Sequence, residues 1–154
     1  MCSNCDRSNA WNSRGRKDFL IQLHVPVEDG GVVSNTTGYI ARAGGTTGVA
    51  TVTGSGSQWN NSKSLTVGRL GTGTLNVTDG GTVSNTYSYI GIKSGSTGEA
   101  TVAGTGSQWN NSNSLYVGGK GSQAGGAGIL NIADSGLATV EKTMKLWSTG
   151  IINL

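Results

Sequence analysis

Three observations predict an all-β, single-stranded parallel β-helix (a β-solenoid) of about six rungs, each of roughly 25 residues. First, Gly56-Ser57-Gln58-Trp59-Asn60-Asn61-Ser62 returns unchanged as Gly106-Ser107-Gln108-Trp109-Asn110-Asn111-Ser112, fifty residues later. Second, apolar residues two apart recur at Val25/Val27, Ala50/Val52, Leu75/Val77, Ala100/Val102, Leu130/Ile132 and Ile152/Leu154. The second members are spaced 25, 25, 25, 30 and 22. Third, the chain is 34% apolar and 12% charged, with 27 glycines and one proline. That is poor in apolar residues for a globule, yet too weakly charged for charge-driven disorder. The glycines have no three-residue period, which excludes collagen. Short apolar pairs between Gly, Ser, Thr and Asn mark brief strands and many turns.

Residues 1–18 are polar, basic and aperiodic, and are expected to be poorly ordered or a loose cap. The solenoid is expected over 19–154. Its first strand, 19–27, has apolar residues at every odd position, the pattern of one buried face. Pro26 cannot donate to a ladder and confines that strand to an edge. Two double-rung repeats follow, 29–78 and 79–133, then a partial repeat, 134–154. The structural stack comprises Val27, Val52, Val77, Val102, Ile132 and Leu154. A second column runs Val33, Trp59, Val83, Trp109, and a third runs Ile40, Val67, Ile90, Val117, Leu146. Each rung is thus expected to carry three short strands. The 30-residue spacing falls on Gly118 to Gly128, which reads as a bulged loop.

A unit this short cannot bury three faces alone, so coiling must stack equivalent residues in a shared interior. Parallel crossovers prefer the right hand. Turn residues punctuate the rungs at Asp29-Gly30, Asp79-Gly80 and Asp134, where glycine supplies positive φ and Asp favours turns. Asn35, Asn61, Asn85 and Asn111 each lie two residues past the second column. Stacked, their amides could form a hydrogen-bonded ladder; unstacked, they would be solvated turn residues.

These residues carry a family resemblance. Gly48 to Gly68 reads G-x-A-T-V-x-G-x-G-S-Q-W-N-N-S-x-S-L-x-V-G, and Gly73 to Asn85 reads G-x-L-N-V-x-D-G-G-x-V-S-N. The unit resembles the repeat of autotransporter (type V secretion) passenger regions and of PEP-CTERM-associated bacterial surface proteins. It covers about residues 25 to 154. The resemblance implies a β-helical rod outside a bacterial cell, on its surface or secreted, often in adhesion to host or matrix glycans or proteins. The sequence carries no apolar h-region in its first twenty residues, no translocator barrel and no sorting tail.

Candidate chemistry is sparse. Net charge is +3, with four basic and two acidic residues through Asp18 and seven against six beyond it. No basic stripe suited to nucleic acid is visible. No run of 18 apolar residues suggests membrane insertion. Of the acids, Asp29, Asp79 and Asp134 are accounted for as turn residues. Glu28 and Asp29 flank a turn and do not read as a glycosidase pair. His24 is the only histidine and is expected to face solvent. Cys2 and Cys5 form a lone C-x-x-C, which reads as free thiols or a local disulfide rather than a metal site. No catalytic residue, metal site or cofactor is expected. Thr51-Val52-Thr53 suggests an ice-binding threonine array, but Asn76 and Ala103 break it.

Trp59 and Trp109 remain. Exposed, they would make a stacking platform for a polysaccharide, with Asn60 and Asn110 as polar contacts. Buried, they would plug the column of Val33 and Val83, each N–H seeking a partner. The sequence therefore supports a non-catalytic rod for adhesion, display or spacing. Two alternatives stand beside it. One is a carbohydrate-binding or carbohydrate-acting helix. The other is a filament subunit that stacks on itself end to end, since Gly150 to Leu154 ends apolar.

Overall fold

Alternation with period two sends every second side chain inward, and turns every dozen residues bend the chain back over itself. In the computed structural model, which describes residues 18–154, this yields an all-β solenoid of about five turns. The strands are β1 (Asp18–Ile21), β2 (His24–Val27), β3 (Val32–Ile40), β4 (Thr47–Thr53), β5 (Gln58–Val67), β6 (Thr72–Thr78), β7 (Thr82–Ile90), β8 (Thr97–Ala103), β9 (Gln108–Val117), β10 (Gly119–Lys120), β11 (Gln123–Ala124), β12 (Ala127–Ala133), β13 (Leu137–Val140), β14 (Thr143–Leu146) and β15 (Gly150–Asn153). Residues 1–17, with Cys2 and Cys5, lie outside the described residues.

Two parallel sheets form the walls. Sheet A runs β1-β3-β5-β7-β9-β13, with β14 also on β9; sheet B runs β15-β12-β8-β6-β4-β2. In sheet B, Val27, Val52, Val77, Val102 and Ile132 are successive partners. Six strands there bound the five turns. In sheet A, Val33, Trp59, Val83 and Trp109 pair in order, as do Ile40, Val67, Ile90, Val117 and Leu146. The core is these columns: Val52, Val67, Val77, Val83, Ile90, Val102 and Val117 are fully buried.

Four expectations need correction. The second and third columns are not separate strands in most rungs. They share one long strand with a register shift near the asparagine, between Asn35 and Thr37 and between Asn85 and Tyr87. The shift kinks the strand, so both arms face one interior. Only in the last turn do the arms part, as β13 and β14. Second, 19–27 is two strands, and Asp18 already belongs to the first. The chain turns at Gln22-Leu23 from sheet A to sheet B, leaving Leu23 59% exposed. Pro26 does lie in an end strand, β2. Third, Leu154 is outside the stack: it follows β15 and is 95% exposed. Fourth, Leu146 holds its register but is 50% exposed, because β14 has a neighbour on one side only.

The turns explain the aspartates. Asp29, Asp79 and Asp134 have φ of 53°, 52° and 50°, followed by Gly30, Gly80 and Ser135, also positive. Two successive left-handed residues are what a type I′ turn requires, and Gly, Asn and Asp tolerate it best. Each turn closes with a backbone bond, such as Gly81 N–H to the Thr78 carbonyl at 2.9 Å. The 30-residue spacing is the antiparallel hairpin β10–β11 inserted into one rung.

A glycine column completes the corner. Gly48, Gly73, Gly98, Gly128 and Gly150 are in register. A Cβ on Gly98 would stand 2.2 Å from the Val67 carbonyl oxygen. The chain passes here too close to the neighbouring backbone for any side chain.

Candidate functional site

The repeated Trp-Asn-Asn lies inside sheet A, where the kinked strand turns both arms inward. Trp59 and Trp109 are 1% and 0% exposed. They therefore offer no platform to a polysaccharide; in large, mostly apolar indoles, burial outweighs a stacking role. Trp109 donates its N–H to Asn85 Oδ1 at 2.9 Å, and Trp59 donates to Asn35 Oδ1 at 2.7 Å. Asn60 and Asn110 are half-buried on the outer side, where they tie neighbouring rungs together. Ser84 donates to Asn60 Oδ1 at 2.7 Å, and Thr139 to Asn110 Oδ1 at 2.9 Å.

The asparagine ladder forms, but in pairs. Asn35 Nδ2 donates to Asn61 Oδ1 and Asn85 Nδ2 to Asn111 Oδ1, both at 2.7 Å. Between the pairs it stops: the register shifts between Asn60 and Ser64, and Asn61 Nδ2 is buried without a hydrogen-bond partner. Asn85 is turned to other partners. Its two amide protons serve Ser88 and Asn111, and its oxygen serves Trp109. The functional grain of the interior is thus a two-rung cassette, Asn35–Trp59–Asn61 and again Asn85–Trp109–Asn111. A shallow groove of about 240 Å³ opens along this column, lined by Asn61, Asn85 and Asn111 together with Ser84, Thr139 and Glu141 among others.

Sequence reasoning missed the role of Ser57 and Ser107. Both are buried, and their hydroxyls accept the Gly30 and Gly80 N–H groups at 3.1 Å. Each ties its rung to the Asp-Gly turn of the rung before. The identical Gly-Ser-Gln-Trp stretch was the available signal. Two outward aromatic features are half-buried: Trp147 beneath Lys145 Nζ at 3.8 Å, and a tyrosine pair. Tyr89 and Tyr116 stack at 5.4 Å, nearly parallel, with Lys120 5.0 Å from the Tyr89 ring. Burial first, then Tyr116 and Tyr87, hold the Tyr89 phenol above its ordinary value.

Outside sheet B the surface is different. Thr47, Thr72 and Thr97 form one column across β4, β6 and β8. Thr51 and Thr101 flank Asn76 in a second, and Thr53 and Thr78 stack in a third. His24 faces solvent, 3.2 Å from Thr51 Oγ1. Among the described residues no group of three or more His, Cys, Asp or Glu could hold a metal ion, and no helix is long and apolar enough to cross a membrane. Comparison with protein-family models, curated proteins and solved structures returns no match.

Proposed function

We propose that this chain is a non-catalytic β-helical rod, displayed on or secreted from a bacterial cell, that serves adhesion, display or spacing. The cassette carries the reading. The same seven residues recur, and in both copies they act on the interior and on the link between rungs. Repetition is spent on making length, and a rod is what repeated length provides. The resemblance to passenger repeats supports the outward location. The carbohydrate-binding alternative loses the exposed indoles on which it stood.

Antibody labelling of intact source cells tests the location. Signal on unpermeabilised cells or in the medium, removed by external protease, is the expected result. Signal only after lysis would overturn the surface reading.

A second reading, end-to-end association, rests on its own observation. Among the described residues β15 pairs only with β12, while Leu146 and Ile151 beside that end are about half exposed. An open parallel edge with apolar flanks accepts another rung, from this chain's continuation or from a second copy. Light scattering of the 154-residue chain over a concentration series should show mass rising with concentration. A constant monomer mass would remove this reading.

A further inference from the structure

Across β4, β6 and β8, twelve side chains point out of sheet B, and eight of them are threonines. Glu99 is the one ionisable side chain among the twelve. From β2 to β12 the strands pair without a register shift. The outward side chains therefore form a two-dimensional lattice. Its repeats are roughly 4.8 Å from rung to rung and about 6.6 Å along a strand, twice the rise per residue of a parallel strand. Sheet A has no such lattice, because its strands are kinked at the asparagines.

Threonine gives this lattice a particular chemistry. Each residue sets a methyl beside a hydroxyl that both donates and accepts. The hydroxyls of Thr47, Thr72, Thr74 and Thr97 have no side-chain partner among the described residues. Ranked methyls restrict the water above them, while the hydroxyls between them fix its positions. A face of this kind lacks the concavity that holds a small soluble ligand. It also lacks the charge that attracts an ionic partner. It matches instead a flat solid with its own short repeats, and those repeats lie near the oxygen spacings on the prism face of ice.

We propose that the outer face of sheet B binds the surface of ice, through a lattice of ordered water that merges with the crystal. This goes beyond the rod reading and does not depend on where the chain is displayed. Thr51-Val52-Thr53 alone gives two short columns, one interrupted at Asn76 and the other ended at Ala103. Strand pairing adds the column Thr47, Thr72, Thr97, uninterrupted over three rungs. Glu99, held by Asn131 Nδ2 at 2.9 Å, is the flaw in the array.

The test is a single ice crystal held in a solution of the purified chain and cooled slowly. Growth should arrest below the melting point and the crystal should develop facets. Thr72→Lys and Thr74→Lys change outward side chains only, so their thermal unfolding should match the parent's while nearly all of the freezing gap is lost. Glu99→Thr should widen the gap. Unfaceted growth at the melting point would overturn the proposal, as would full activity in both lysine variants. Retention on microcrystalline cellulose or chitin, with no effect on ice, would also overturn it and assign the face to a crystalline polysaccharide.

Discussion

Sheets A and B are built from the same repeat, yet they handle polar residues in opposite ways. Sheet B keeps its inside wholly apolar or glycine and spends its polar residues outside, in unbroken register. Sheet A takes asparagine, serine and tryptophan N–H groups inside and bends its strands to do so. Regular pairing makes a lattice; irregular pairing makes an interior hydrogen-bond network. A buried polar group that loses its partner is costly, so sheet A is where single substitutions should cost most.

The two sheets also compensate one another. Rungs that carry Trp59 or Trp109 in sheet A carry Ala50 or Ala100 in sheet B. The rung with Val83 and the small Ser88 carries Leu75. Cores are packed to a fixed density, so a large residue on one wall asks for a small one opposite. This alternation explains why the identical motif returns after fifty residues rather than twenty-five.

The largest expected effect comes from emptying sheet A. Trp109→Ala should cost about 3–5 kcal/mol, read as a lower denaturation midpoint at unchanged slope. Next, the pairing within the ladder predicts unequal asparagines. Asn85→Ala orphans the Trp109 N–H and one bond to Asn111, costing about 2–3 kcal/mol. Asn61→Ala removes one acceptor and an amide already unpartnered, costing about 1 kcal/mol. Equal costs would show a continuous ladder and erase the cassette.

A smaller effect lies at the corner after each sheet A strand. Gly68, Gly91 and Gly118 hold φ of 71°, 68° and 80°, and Ala41 holds the same place at 55°. An alanine is strained there, so Ala41→Gly should stabilise by about 0.5–1 kcal/mol in equilibrium unfolding. Gly91→Ala is no mirror image, because its Cβ would also stand 2.2 Å from the Ala127 carbonyl oxygen.

The smallest effect is on pH dependence. The raised Tyr89 value means the fold keeps that proton longer than the unfolded chain does. Its contribution is therefore complete below the unfolded value of 10.0 and declines as pH rises from there through the folded value. Tyr89→Phe should flatten the fall in stability as pH rises above 10.0. An identical slope in the variant would assign the alkaline loss to other groups.

Much of this was legible from spacing. The valine and tryptophan columns follow from period alone, because a stacked core demands one apolar residue per rung at each position. The Asp-Gly turns followed from what a left-handed pair of residues tolerates. The kink left a trace that spacing alone did not explain: the second and third columns stand 7 residues apart at Val33/Ile40 and Val83/Ile90 but 8 apart at Trp59/Val67 and Trp109/Val117, because the bulge adds its extra residue in β5 and β9. Leu23 and Leu154 misled for a related reason: period two does not say where a strand turns its corner or ends. The glycine column at Gly48, Gly73 and Gly98 was visible as a 25-residue recurrence, but its meaning needed the neighbouring backbone. The threonine face was hidden because its best column, Thr47 to Thr97, lies beyond the tripeptide that drew attention.

Stacking of residues 25 apart is tested most directly by methyl NOEs in solution. Val52 should contact Val77, and Val77 should contact Val102, with no contact between Val52 and Val102 two rungs apart. Absence of the two neighbour contacts, or a direct Val52–Val102 contact, would contradict the solenoid.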